Sequence, residues 1–147
     1  AFNLGTALLN VNRPDEAIPW LNAAIATYDK PADAFTNLGR ALLQKNMLME
    51  AKAYFAKALE LDADQSDARI NLGISEGLLG NLQGALDTLA EAVRRAPDNP
   101  DAHYNYGVAL LKAGKRNEAA TQFDDALRLR PDFPDAAANL QQARGSS

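Results

Sequence analysis

The sequence predicts an all-α solenoid in which short helix pairs stack along one axis. Three observations carry this. The tripeptide Asn-Leu-Gly, or Asn-Tyr-Gly, recurs at 3–5, 37–39, 71–73 and 105–107, always 34 residues apart without insertion or deletion. Other columns keep step: Ala17, Ala51, Ala85 and Ala119; Ala24, Ala58, Ala92 and Ala126; and a large apolar set, Leu21, Phe55, Leu89 and Phe123. Helix breaks fall in the same register, and a fixed period of this length signals stacked supersecondary units.

Taken in order, the units are 1–31, 32–65, 66–99 and 100–133, followed by an extra helix over 134–144. Within each, the apolar spacing is helical twice, with a turn between. The turns fall at Asn12-Arg13-Pro14, Lys45-Asn46, Gly80-Asn81 and Gly114-Lys115. In the fourth unit one helix runs from Asp101 to Ala113 and another from Arg116 to Leu129, with Pro131 closing the unit. The stretches PDNPDA (97–102) and RPDFPDA (130–136) carry the proline and aspartate of helix stops and starts. Helices of this length are marginal alone in water, so the units must stack to bury their faces. Residues 145–147, Gly-Ser-Ser, read as a frayed end or cloning remnant outside the fold.

A glycine inside a helix costs about 1 kcal/mol relative to alanine. Gly107 lies on the face of Tyr106 and Leu110, which packs on the second helix of its pair, so its lack of a side chain lets two helix axes approach. Ala119 is the expected small partner across that crossing, and Ala126 its counterpart towards the next unit. The glycine column is therefore a packing feature.

The bulk numbers exclude several functions. With 147 residues, 47% of them hydrophobic, the chain has material for one cooperative core. Its net charge of -4 is spread over both halves, without the clustered Lys/Arg that nucleic-acid binding requires. There is no cysteine and a single histidine, so neither a thiolate nucleophile nor a zinc site can be assembled. No catalytic residue, metal or cofactor is expected. No apolar run approaches the roughly 20 residues of a membrane span, and no basic-then-apolar leader opens the chain. The compartment is open, with the cytoplasm as the working expectation.

The 34-residue period, with small residues in the Gly107, Ala119 and Ala126 columns and proline closing units, resembles the tetratricopeptide repeat (TPR) family over essentially residues 1–144. That resemblance implies a right-handed superhelix whose concave groove is lined by the first helix of each pair. The groove would then present Asn3, Asn37, Asn71, Asn105 and Asn139 as a ladder of amides. An amide carries one acceptor and two donors, so such a ladder can hold an extended peptide backbone whatever its side chains. Similar ladders in O-GlcNAc transferase hold polypeptides in this way. The competing reading makes the asparagines part of the repeat framework, and both readings predict a periodic column.

Other groove candidates follow from the same alignment. Ile70, Ile74, Tyr104 and Val108 would form an apolar patch beside the amides, with Arg40 and Lys112 as basic members. The opposing expectation is that adjacent repeats partly cover these columns. Asp33, Asp67, Asp101 and Asp135 begin first helices, where a carboxylate gains about 0.3–1 kcal/mol from the helix dipole; Asp67 and Asp101 could also select basic groups on a partner. TPR co-chaperones that grip acidic tails resemble a clamp with Lys or Arg in these columns. Asp67, Asn71, Asp101 and Asn105 stand there instead, so an acidic tail should meet repulsion.

A few single residues complete the reading. Arg69 and Glu76, seven apart on one helix face, are expected to compensate each other's charge. Gly77 should weaken the helix that carries it. His103 takes the place of Phe35 and is expected to be structural. Trp20 should pack, and Pro19 should bend the helix it interrupts. The functional expectation is a non-catalytic scaffold for protein–protein interaction that binds a peptide or protein segment in its groove, its partner's identity open, with no nucleic acid and no membrane insertion. The alternative is self-association as a homo-oligomer, or a spacer in a larger enzyme such as a glycosyltransferase that resembles O-GlcNAc transferase.

Overall fold

The computed structural model describes residues 1–145, and these hold nine α-helices and no strand. They are α1 (Phe2–Asn10), α2 (Pro14–Thr27), α3 (Pro31–Gln44), α4 (Leu48–Leu61), α5 (Ser66–Leu78), α6 (Leu82–Arg95), α7 (Pro100–Lys112), α8 (Arg116–Leu129) and α9 (Pro134–Arg144). Of the tail segment 145–147, Gly145 takes a left-handed conformation after α9; Ser146 and Ser147 lie outside the described residues.

The turns inside the pairs are repeats of one device. Asn12, Asn46, Gly80 and Gly114 all have positive φ, between 57° and 87°. Asparagine and glycine tolerate this left-handed geometry best. The next residue's N–H then reaches back to a carbonyl of the last turn: Arg13 to Leu8, Met47 to Leu42, Asn81 to Glu76 and Lys115 to Leu110, each at 2.9 Å. Backbone carbonyls that the helix end would orphan are thereby satisfied. Between pairs, Pro31, Pro100 and Pro134 open their helices, as Pro14 does inside the first pair, and a missing N–H costs nothing there.

Every helix packs on its neighbours in sequence, and each odd-numbered helix also touches the next odd-numbered one. Among the described residues α2, α4, α6 and α8 make no contact with one another. The stack is therefore tighter along α1, α3, α5, α7 and α9, and it curves with those five helices on its inner side. The alanine and large apolar columns form the seam: Ala17, Leu21, Ala51, Phe55, Ala119 and Phe123 are all fully buried.

The glycine column meets a different partner from the one its size suggests. A Cβ on Gly107 would lie 2.7 Å from the Phe123 ring, one on Gly39 2.6 Å from Phe55, and one on Gly73 2.6 Å from Leu89. The bulky column of the second helix, not the alanine column, lies over the glycine. Large against nothing fills space better than small against small, so the pair interdigitates at full density.

Two further expectations are corrected. Arg69 and Glu76 do not pair. The Arg69 guanidinium donates to the Ala63 carbonyl at 2.8 Å, whereas Glu76 accepts from Thr88 at 2.7 Å and faces Lys52 at 3.7 Å. Arg69 turns back to the loop that precedes α5 and Glu76 turns to α6 and α4, so each charge finds a local partner. Trp20 is not packed; it is 45% exposed. At the matching places Tyr54 stacks on Phe35 and Gln122 bonds His103. In the first pair the corresponding residue is Ala1, too small to cover an indole. His103 is buried, with one ring nitrogen 2.8 Å from Gln122 and the other 2.8 Å from the Pro97 carbonyl.

Candidate functional site

The inner side carries two chemically distinct hollows. The first, about 500 Å³, spans α1, α3 and the start of α5. Thr6, Asn37, Arg40 and Asp67 line it together with Phe2, Asp33, Thr36, Gln65 and Ser66. A polar chain runs along its floor. Arg40 donates to Asn37 Oδ1 at 3.0 Å, Asn37 Nδ2 donates to Thr6 Oγ1 at 2.9 Å, and Thr6 donates to the Phe2 carbonyl at 3.0 Å. Gln65, just before α5, links Asp33 and Thr36 of α3. Arg40 and Asp67 enter no ion pair among the described residues.

The second hollow, about 90 Å³, lies between α5, α6 and α7. Ile74, Asn105, Val108 and Lys112 converge on it with Gly73, Gly77, Leu78, Leu82, Ala85, Leu89 and Ala109. Val108 and Lys112 also border a shallower recess of about 250 Å³, shared with Leu111, Asn139 and Gln142.

The asparagine column shares a side of the stack but not a bonding pattern. Asn37 is only 8% exposed and bridges two helices as described. Asn71 and Asn105 each donate to the carbonyl one turn back, Asp67 and Asp101, both at 2.8 Å. Asn139 donates to the Tyr104 hydroxyl at 3.3 Å. Asn3 is exposed and borders a separate hollow of about 210 Å³ with Phe2 and Tyr28. Asn71 and Asn105 therefore keep their carbonyl oxygens, and one N–H each, without a partner among the described residues.

Asn71 borders none of these hollows, and three further candidates also stand apart from them. Ile70 is 5% exposed and packs in the core with Ala85, Leu89 and Ala102. Tyr104 is half-buried against Phe123 and Phe133, and burial pushes its hydroxyl pKa up, with Asp135 adding to the effect. Asp101 is gripped by Arg130 through two hydrogen bonds of 2.9 and 3.1 Å; that bidentate contact raises the Arg130 pKa. The Asp101 carboxylate is thus already paired with a cation of the chain itself.

The sequence reading missed Gln65, Leu78 and Arg130. Leu78 shares a column with Lys112 and could have been found that way. Arg130 has Ala96 and Asp62 as its counterparts, so no periodic signal marks it.

The sequence profile described as "Tetratricopeptide repeat" matches residues 2–68, 36–100 and 70–132. Among solved structures, YrrB, a TPR protein with an unusual peptide-binding site, is 27% identical with a TM-score of 0.72, over 98% of this chain and 74% of that one. TTC0263, a thermophilic TPR protein of Thermus thermophilus, is 22% identical with a TM-score of 0.87, over 99% of this chain and 80% of that one. The first TPR of Spaghetti (RPAP3), bound to the HSP90 peptide SRMEEVD, is 19% identical with a TM-score of 0.74, covering 78% of this chain and 91% of its own. Searched by sequence, the curated proteins include no significant match. No helix among the described residues is long and apolar enough to cross a membrane.

Proposed function

Because the chain belongs to the tetratricopeptide repeat family, we propose that it is a non-catalytic interaction module holding an extended stretch of another polypeptide along its inner side. The observation that carries this is the 500 Å³ hollow, with a cation, Arg40, and an anion, Asp67, that enter no ion pair within the described residues. Polar groups already held in place lose little freedom when a guest arrives. Asn71 and Asn105, further along, offer carbonyl oxygens to backbone N–H groups. The peptide-binding site named for YrrB and the peptide bound to RPAP3 support the reading by likeness of fold.

The test is selection of binders from a random dodecapeptide library, followed by amide chemical-shift mapping of a selected peptide. Perturbations are expected on α1, α3, α5 and α7. Perturbations confined to α2, α4, α6 and α8 would defeat the proposal. Replacing Asn71 and Asn105 together by alanine should weaken binding about tenfold, at about 0.5–1.5 kcal/mol per lost hydrogen bond, with helicity unchanged.

A second reading, self-association, rests on the exposed apolar residues of the first pair. Leu4 is 45% exposed there while its counterpart Leu38 is 2% exposed, and Val11 and Trp20 are exposed nearby. Light scattering tests it: a mass that rises with concentration favours it, and a constant monomer mass removes it.

A further inference from the structure

The recess bordered by Val108, Leu111, Lys112, Asn139 and Gln142 has a counterpart one repeat earlier, and there a missing leucine opens its floor down to Leu82, Ala85 and Leu89. Leu9, Leu43 and Leu111 occupy one column of the repeat, and the third unit has Gly77 in that place. Its neighbour Gly73 is already covered, since a Cβ there would strike Leu89 at 2.6 Å. Gly77 is not. A Cβ added to it meets only Ala85, at an ordinary 3.6 Å. Here a helix accepts the cost of glycine without any close crossing that demands it. What the glycine leaves is the 90 Å³ recess, open to the groove and walled by Ile74, Leu82, Ala85 and Val108.

Two further observations say what fits. Leu78, on the rim, is 54% exposed, although it is a large aliphatic residue in the middle of the stack. Lys112, on the opposite rim, enters no ion pair among the described residues. The volume is well below the roughly 150 Å³ apolar cavity that accepts a benzene ring. An aliphatic side chain of four carbons suits a recess of this size better than an aromatic one.

The geometry points to a specificity pocket at Gly77 that takes a leucine- or isoleucine-type side chain of the guest segment, with an acidic group of that segment, one or two residues away, on Lys112. The inference rests on the groove reading above and adds the chemistry of the anchor. The Asn105 carbonyl oxygen at the same mouth receives a backbone N–H of the guest.

The probes are synthetic peptides from the dodecapeptide selection on the whole chain, titrated by fluorescence anisotropy against wild type, Gly77→Leu and Lys112→Ala. Selected peptides should share an aliphatic residue with Asp or Glu one or two positions away. Gly77→Leu fills the recess with the protein's own side chain, so affinity should fall about tenfold or more while the melting temperature rises. That rise shows the loss is not misfolding. Lys112→Ala should weaken binding severalfold and flatten its salt dependence. Peptides that bind Gly77→Leu as well as wild type, or that share no aliphatic residue, overturn the pocket but leave the groove reading intact if Asn71/Asn105 replacement still weakens them. Failure to select any peptide overturns both.

Discussion

The ring of Phe123 occupies the space where a side chain on residue 107 would begin: a Cβ there would come within 2.7 Å of Cε1. The glycine is thus defined by the phenylalanine across the crossing. Three other pairs repeat the relationship with a leucine or phenylalanine in the same role.

Gly107→Ala should therefore destabilise the chain despite better helix propensity. Phe123 is fully buried and its ring cannot yield cheaply. Overpacking costs about 1–3 kcal/mol against about 1 kcal/mol gained, for a net loss of roughly 1 kcal/mol. Urea unfolding measures it. Gly77→Ala, with an ordinary 3.6 Å contact, should change stability in the opposite direction by up to about 1 kcal/mol. Equal signs for the two variants would refute the packing account.

Arg130→Ala should loosen the last helix. Its guanidinium clasps Asp101 and lies 4.8 Å from the centre of the Phe133 ring, just before α9 begins. The pair is half-exposed, so the expected loss is about 0.5–1 kcal/mol at low salt and less in high salt. Denaturation at two ionic strengths separates the charge contribution from the stacking one.

Acid should remove one specific contribution. Hydrogen bonds from Arg94, then Arg95, hold the Glu91 carboxyl at about 2, down from 4.5. Its folded-state value lies below its unfolded one, so the stabilisation is complete above 4.5 and disappears as pH falls through about 2. Wild type should melt above Glu91→Gln at neutral pH, and the gap should close across that window. A gap independent of pH would mean that the arginine contacts are not responsible.

Trp20 is the sole tryptophan and sits exposed on α2, away from the inner hollows. Its emission should be that of a hydrated indole and should stay unchanged when a selected peptide binds. A blue shift on peptide addition would put the guest on the outer face of the first pair instead.

How much of this was legible depended on whether a feature repeats. The turns at Asn12, Asn46, Gly80 and Gly114 were readable because one backbone geometry, left-handed φ, recurs with the period and admits few residue types. The amide column was readable as a column, yet its bonding was not. Asn37 bonds Thr6, Asn71 its own helix, and Asn139 Tyr104, because a flexible polar head chooses among neighbours that differ from unit to unit. The expected Arg69–Glu76 pair failed for the same reason: Thr88, Lys52 and the Ala63 carbonyl lay closer.

The sequence by itself determined the helix pairs, their number and their register, since close crossings demand a missing side chain opposite a large one at a constant interval. Only the tertiary structure decided which polar groups of the described residues remain unpaired and where one absent leucine leaves room. Those outcomes depend on side chains that do not repeat, brought together from helices far apart in the chain.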